Sequence, residues 1–131
     1  THGGTYGGNA VSCAAAVASI QVMKEEKLIE NSAAMGEVLT AGLRKIQEEY
    51  PEIGDVRGPG LMVGAEFTDG RGQPWTDRAK GVVKTAFQQE RLILLTCGTH
   101  DNTIRWIPPL VVNEAQIKDG LARFERALAA K

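Results

Sequence analysis

The chain has 131 residues, 43% of them hydrophobic and 24% charged, which is the composition of one ordinary globular domain. Fifteen basic and 16 acidic residues give a formal net charge of −1, which argues against nucleic acid or an anionic membrane surface as a partner. No apolar run reaches the roughly 20 residues that span a bilayer. Two cysteines, Cys13 and Cys97, are too few for a disulfide scaffold. We therefore expect a cytoplasmic protein with reduced thiols.

The first nine residues, THGGTYGGN, form a glycine-rich stretch that runs directly into an apolar helix-forming segment. Glycine lets the backbone bend sharply and approach a ligand closely. The helix that follows adds unpaired N–H donors and the positive end of its dipole, and the Thr5 hydroxyl is a further donor. The stretch therefore predicts a phosphate site. The alternative is a turn, capped by Asn9, that binds nothing.

Two helices are predicted in the first part of the chain. The first runs from its cap at Asn9 to about Lys24 and is apolar around nearly its whole circumference, so it should be buried on most sides. One domain of this size can hardly surround such a helix, and the chain starts with Thr1 rather than Met. We therefore expect a fragment whose upstream part is missing. The second helix, from Leu28 to Tyr50, is amphipathic and ends at Pro51.

Four short apolar segments predict strands, and the last two are close enough for a hairpin. They are residues 53–57, 61–67, 92–96 and 103–107. Asp77 is expected to cap a helix that runs to about Glu90. Asn113 and Gln116 have the spacing of a capping box at the start of a last helix. These elements favour one α+β unit, with the first helix leading into it.

Arg105 is the charged residue with the clearest chemical potential. It lies among apolar residues of the fourth predicted strand, where a guanidinium could hold a carboxylate through two parallel hydrogen bonds. The alternative is a surface arginine on an edge strand. Arg57, at the end of the first strand, is a weaker candidate for the same role. His2 and His100 have no partner at metal-ligand spacing, so no metal site is expected.

No catalytic acid, base or nucleophile is predicted from the residues. The lysines lie on solvated helix faces or at the chain terminus, so none is expected to form a Schiff base. The chain therefore contains a possible anion cradle and a possible carboxylate clamp, which together are half an active site.

Three blocks in order resemble the class III aminotransferases, pyridoxal-phosphate enzymes of the fold type I group. They are HGGTYGGN (residues 2–9) with SCAAA (12–16), VRGPGLM (56–62) and TIRWIPPL (103–110). The resemblance covers essentially the whole chain and is strongest to members that act on 4-aminobutyrate. The family usually has proline where this chain has Ala10, a substitution of little consequence because proline at the first helical position is convenient rather than necessary.

The resemblance implies a C-terminal piece of such an enzyme. Residues 1–27 would be a phosphate loop and connecting helix from the large domain. Residues 28–131 would be the small C-terminal domain, an α+β unit with a mostly antiparallel sheet of three to four strands packed against helices. The lysine and the ring-binding residues of the family belong to the large domain, upstream of Thr1. The intact enzyme would be a homodimer, and the fragment alone would not transaminate.

The resemblance also assigns roles to residues. Thr5 matches the threonine that donates its hydroxyl to the phosphate of pyridoxal 5′-phosphate held by the other subunit, and Gly4 and Tyr6 would shape the loop around it. Arg105 matches the arginine that binds the α-carboxylate of an amino-acid substrate. The intact enzyme would transfer an amino group from an amine or ω-amino acid, such as 4-aminobutyrate, to a 2-oxo acid such as 2-oxoglutarate. No residue of this chain would be catalytic or bind a metal.

Two interpretations from other classes stay open at this point. A stand-alone regulatory module that binds a small carboxylate through Arg105 would have its first helix fully covered. A structural dimerisation unit would need no arginine in a pocket. The enzyme fragment instead predicts exposed apolar surface on residues 10–23 and a tendency to self-associate.

Overall fold

The computed structural model describes residue 4 and residues 6–130, and this part of the chain contains four helices and four strands. In chain order they are α1 (Ala10–Glu25), α2 (Leu28–Glu49), β1 (Ile53–Arg57), β2 (Val63–Phe67), α3 (Thr76–Gln88), β3 (Leu95–Cys97), β4 (Thr103–Trp106) and α4 (Glu114–Ala129). Among the described helices, none is long and apolar enough to cross a membrane.

The four strands form one antiparallel sheet in the order β1-β2-β4-β3. Along β2, Val63, Ala65 and Phe67 are buried while the two residues between them are only half-buried, the alternation of a sheet with one packed face. Helices α2, α3 and α4 supply the other side of that core, in which Leu39 and Phe124 are fully buried. The predicted α+β class with an antiparallel sheet is confirmed.

Local signals correctly placed the starts of α1 and α4 and the β-hairpin. Asn9 caps α1 by accepting a hydrogen bond from the backbone N–H of Ser12 at 3.0 Å. The capping box of α4 is complete, because Asn113 and Gln116 each accept a hydrogen bond from the other's backbone N–H at 3.0 Å. Strands β3 and β4 pair as the predicted hairpin.

Three predicted details are wrong. Asp77 does not cap α3, since the helix already begins at Thr76, and Asp77 lies inside the first turn, where its charge favours the helix dipole. Strand β2 begins at Val63 rather than at residue 61, because the preceding turn is closed by a hydrogen bond from Met62 N–H to the Pro59 carbonyl (3.1 Å).

The third strand also begins later than predicted, at Leu95 instead of residue 92. Leu95 pairs with Arg105, so a strand extended back to residue 92 would place that residue opposite Pro108. Proline has no N–H to donate to a ladder. Residues 92–94 therefore connect α3 to the sheet, and the Leu92 N–H donates to the Ala86 carbonyl at 2.9 Å.

Helix α1 stands apart from the core. None of its 16 residues is buried, and among the other elements it contacts α2 alone. Val11, Val17 and Ile20 are 79%, 65% and 54% exposed. The chain itself therefore leaves the apolar helix uncovered, as the enzyme-fragment interpretation predicts and unlike the covered helix of a stand-alone module.

Candidate functional site

The open face of the sheet, opposite the helices, carries the charged residues that the sequence singled out. Cross-strand register aligns its side chains in two rows that run across all four strands. The first row is Arg57, Gly64, Arg105 and Leu95; the second is Asp55, Glu66, Thr103 and Cys97. Directly opposite positions in adjacent strands have their side chains in contact range. The two candidate arginines therefore share one row, with a glycine between them.

Arg105 presents an open guanidinium. It is exposed on β4 and makes no salt bridge with any residue that the structure describes. Its cross-strand neighbour Gly64 has no side chain to fill the space between the arginines. The result is a shallow cavity of about 340 Å³ whose lining includes Arg57, Gly64, Cys97 and Arg105. An anionic group entering this cavity would meet Arg105 as a free donor.

The next residue fixes Arg105 from the other side of the sheet. Trp106 is buried in the core, and its ring meets that of Phe124 edge to face at a centroid distance of 5.3 Å. Because successive residues of a strand point to opposite faces, the anchored indole directs Arg105 outward.

Arg57 is occupied by two carboxylates. Its Nη1 lies 2.6 Å from Asp55 Oδ2 and 2.6 Å from Glu66 Oε2. The hydrogen bonds that Arg57 donates to Asp55 and then to Glu66 raise the pKa of Arg57 above its ordinary value. Arg57 thus has fewer donors left for a ligand than Arg105, in line with its ranking as the weaker candidate.

The VRGPGLM block builds the turn between β1 and β2. Gly58 has φ +144° and Gly60 has φ +52°, backbone conformations that favour glycine. A Cβ on Gly58 would also overlap the Met62 carbonyl. The structure therefore explains the two glycines of this block: they form the turn that sets the register in which Arg57 lies opposite Gly64.

The loop after β4 is held by a side chain of α2. The Asn31 amide donates two hydrogen bonds to this loop, to the carbonyls of Leu110 (2.7 Å) and Val112 (3.0 Å). The TIRWIPPL block is thereby tied to the domain at both ends, by Trp106 in the core and by Asn31 beyond the prolines.

The predicted phosphate site lies at the start of α1. Thr5, His2 and Gly3 are outside the described residues. Gly4 and Tyr6 are described and exposed, and a turn joins them to the helix, with hydrogen bonds from Gly7 N–H to the Gly4 carbonyl (3.1 Å) and from Asn9 N–H to the Tyr6 carbonyl (3.2 Å).

Among the described residues, the two predicted anion sites lie in different regions. Helix α1 contacts only α2, whereas Arg105 lies on the open sheet face. The structure thus places Gly4 and Tyr6 in one region and Arg105 in another. In the described range, no three His, Cys, Asp or Glu side chains are grouped so that they could hold a metal ion.

Comparison with protein families identifies the chain. The model of the aminotransferase class-III family matches residues 1–128. The chain belongs to the class III aminotransferase family. This confirms the assignment that the three sequence blocks indicated.

Curated relatives of this class III aminotransferase chain are much longer than it is. It is 48% identical over 128 residues to 5-aminovalerate aminotransferase DavT of Pseudomonas putida, an alignment that covers 97% of this chain and 30% of the relative. It is 39% identical over 120 residues to 4-aminobutyrate aminotransferase GabT of Escherichia coli, covering 91% of this chain and 28% of that protein. The chain thus spans about 30% of the length of the curated relatives it matches.

Solved aminotransferases share the fold of this class III aminotransferase chain. A Bacillus anthracis aminotransferase superimposes with a TM-score of 0.88 at 31% identity, covering 98% of this chain and 30% of that structure. Acetylornithine aminotransferase from Elizabethkingia anophelis gives a TM-score of 0.83 at 31% identity, covering 98% and 32%. The described fold is therefore that of one part of an aminotransferase.

Sequence reasoning missed Glu66 on the open face and Asn102, the buried residue that holds it. Glu66 stands in a nearly continuous apolar strand, which predicted burial on both faces. The alternation of Gly64 and Glu66 with larger apolar residues was the signal that could have placed both on one face. Asn102 had no local signal, because its partners Glu66 and Phe67 are more than 30 residues away in the chain.

Proposed function

We propose that this chain is the C-terminal part of a class III aminotransferase and that it binds the carboxylate of an amino-acid or 2-oxo-acid substrate through Arg105. Residues 1–27 then belong to the large domain as loop and connecting helix, and residues 28–131 are the small domain. The observation that carries the proposal is the open guanidinium of Arg105 beside an arginine that is already paired.

The sheet suits Arg105 to this role. A strand inside a four-stranded sheet is a rigid support, and β4 has neighbours on both sides. The planar guanidinium offers two parallel N–H groups that match the geometry of a carboxylate. Among the described residues, no carboxylate forms a salt bridge with Arg105.

The proposed reaction transfers an amino group from an amine or ω-amino acid to a 2-oxo acid such as 2-oxoglutarate. The names of two relatives, a 5-aminovalerate and a 4-aminobutyrate aminotransferase, support an ω-amino acid as the donor. Both 5-aminovalerate and 4-aminobutyrate have a carboxylate at one end and an amine at the other. Arg105 would hold the carboxylate end of a substrate and so fix where its reacting end lies.

The cofactor of the proposed enzyme is pyridoxal 5′-phosphate, which when bound supplies the electron sink for amino-group exchange. The loop before α1 fits its phosphate. Gly8 has φ +79°, and a Cβ on Gly4 or Gly8 would meet no described atom within 4 Å, which leaves room beside these two glycines. Gly4 and Tyr6 would shape the loop, and Thr5 would donate its hydroxyl.

The uncovered helix α1 supports a second subunit or a large domain as its neighbour. Apolar residues exposed along its whole length are stabilised when another surface covers them. In the proposed homodimer, the loop before α1 reaches the cofactor that the partner subunit holds.

Replacement of Arg105 in the full-length polypeptide that carries this chain tests the proposal. We expect Arg105→Gln to raise the KM for 2-oxoglutarate by about 10- to 100-fold, because two charge-assisted hydrogen bonds are lost. Arg105→Lys keeps the charge but loses the two parallel N–H donors of the guanidinium, so it should give an intermediate KM. The KM for n-butylamine as donor, which has no carboxylate, should stay unchanged.

Arg71→Gln is the matched control. Arg71 is an exposed arginine in the loop after β2, outside the four strands. It should leave both KM values at their wild-type level. Equal KM values for 2-oxoglutarate in Arg105→Gln and in the wild type would refute the assigned role of Arg105.

A further inference from the structure

The open sheet face holds one more residue whose position bears on the carboxylate site. Glu66 lies directly opposite Asp55 on β1 and directly opposite Thr103 on β4. It is therefore diagonal to Arg57 on one side and to Arg105 on the other. Diagonal cross-strand neighbours are roughly 7–8 Å apart, within reach of long side chains. Glu66 is thus placed to pair with either arginine.

The carboxylate of Glu66 is nevertheless committed to one side. Its Oε2 lies 2.6 Å from Nη1 of Arg57. Its Oε1 accepts a hydrogen bond from the amide of Asn102 at 3.3 Å. Both oxygens are engaged away from Arg105, so a turn of Glu66 toward Arg105 would break at least one of these contacts.

Asn102 is a fixed anchor for Glu66. It is buried, and the same amide nitrogen donates to the Phe67 carbonyl at 2.8 Å. In return, the Phe67 N–H donates to the Asn102 carbonyl at 2.7 Å. A buried amide with these bonds has little freedom to move, so it restrains the half-buried carboxylate beside it.

We propose that Glu66 is a specificity-determining residue of the carboxylate site: held by Asn102 and paired with Arg57, it leaves Arg105 as the one open guanidinium of this face. The site then accepts a single carboxylate group, because the second arginine of the same row is neutralised. This inference rests on the proposed role of Arg105 and extends it to the number of carboxylates that the site takes.

Charge on the face supports this assignment. Asp55 and Glu66 together carry two negative charges, which balance the two positive charges of Arg57 and Arg105. Arg57 lies two strands from Arg105 in the same row, roughly 10 Å away by strand spacing. If its carboxylate partners were removed, a short dicarboxylate could contact both arginines at once. Glu66 and Asp55 therefore determine whether this face binds one ligand carboxylate or two.

Substitutions of the two acidic residues form a matched pair, because the residues differ in their distance from Arg105. Both pair with Arg57 at 2.6 Å, but Glu66 is on the strand next to Arg105 and Asp55 is one strand further. Strand spacing and rise place Asp55 roughly 12 Å from Arg105. Screening at physiological salt acts over about 8 Å, so Arg105 should respond to the charge of Glu66 much more than to that of Asp55.

The test uses the full-length polypeptide that carries this chain, ¹⁵N-labelled at arginine. It is titrated with propionate and with glutarate at constant ionic strength, and the Nε–Hε signals of Arg57 and Arg105 are followed by NMR. We expect Glu66→Gln to lower the Kd of propionate at Arg105 about threefold, and Asp55→Asn to change it by less than half as much. In Asp55→Asn/Glu66→Gln, glutarate should shift both arginine signals and bind at least about threefold tighter relative to propionate than in the wild type.

A double-mutant cycle with Arg105→Gln separates this inference from the function on which it rests. The effect of Glu66→Gln on propionate binding should vanish in the Arg105→Gln background. If it persists, or if Glu66→Gln and Asp55→Asn act equally, the inference is overturned while the role of Arg105 stands. If Arg105→Gln alone binds propionate like the wild type, both are overturned.

Discussion

The carbonyl of Gly60 lies where a Cβ of Gly36 would be, so that helix α2 and the turn between β1 and β2 meet backbone to backbone. Ser32, one helical turn earlier, faces the same turn and accepts a hydrogen bond from Leu61 N–H at 3.3 Å. This contact seats the turn that leads into β2 and therefore supports the register of the open face.

Gly36→Ala should destabilise the chain by about 1–3 kcal/mol, because the added methyl group meets a backbone that cannot rotate away. Urea unfolding followed by circular dichroism measures the change. Gly81→Ala is the matched control, since Gly81 is a helical glycine of α3 whose Cβ would meet nothing within 4 Å. It should stabilise the chain by about 0.5–1 kcal/mol. If the free energy of unfolding of Gly36→Ala is as high as that of Gly81→Ala, the close contact at Gly36 does not exist.

The capping box of α4 should contribute measurably to global stability. Asn113→Ala removes one hydrogen bond and leaves the start of a helix that packs on the core, so we expect a loss of about 1 kcal/mol in urea unfolding. Asn9→Ala removes the equivalent bond from α1, which buries no residue, and should reduce helix content while leaving the unfolding midpoint of the core unchanged. Equal midpoint shifts in the two variants would contradict the described separation of α1 from the core.

Arg78 of α3 joins α4 to the turn before β1 and should be a stabilising residue. Its Nη2 donates to Glu52 Oε1 at 2.9 Å and to the Leu128 carbonyl at 2.6 Å. We expect Arg78→Met to cost about 1–3 kcal/mol in urea unfolding, since a partly buried carboxylate and a helix-end carbonyl lose their donor. Arg78→Met/Glu52→Gln should recover part of this loss. No recovery in the double variant would mean that Glu52 is not the partner left unsatisfied.

The exposed apolar surface of α1 should make the 131-residue chain self-associate. Val17→Asp/Ile20→Asp places charges at two exposed positions, so it should lower the apparent mass in sedimentation and leave core stability unchanged. Leu39→Asp, at a buried position of α2, should instead abolish cooperative unfolding. A monodisperse wild-type monomer at high concentration would contradict this prediction.

Much of the fold could be predicted where the signal is local. The capping residues Asn9 and Asn113 act on N–H groups three residues away, and helical periodicity needs only neighbouring turns. The three sequence blocks identified the family, which the family model then confirmed. The roles of Thr5, Gly4, Tyr6 and Arg105 remain predictions.

The predictions were wrong where residues that are distant in the chain determine the local structure. The apolar run at residues 92–96 looks like a strand from end to end, but its first residue would lie opposite Pro108, which cannot donate to the ladder. Asp77 is a good cap by type, yet the chain entering α3 is already helical at Thr76. In each case, local preference was overridden by where the neighbouring element starts or stops.

The sequence by itself predicted the family, the α+β class and the two candidate anion sites, because each is indicated by short local patterns whose order along the chain is visible in the sequence. Only the tertiary structure decided which of two arginines is free. Strand register brings Asp55 and Glu66 to Arg57 and leaves Arg105 opposite a glycine. No local pattern encodes that difference, since a cross-strand distance depends on how far two remote segments slide before they pair.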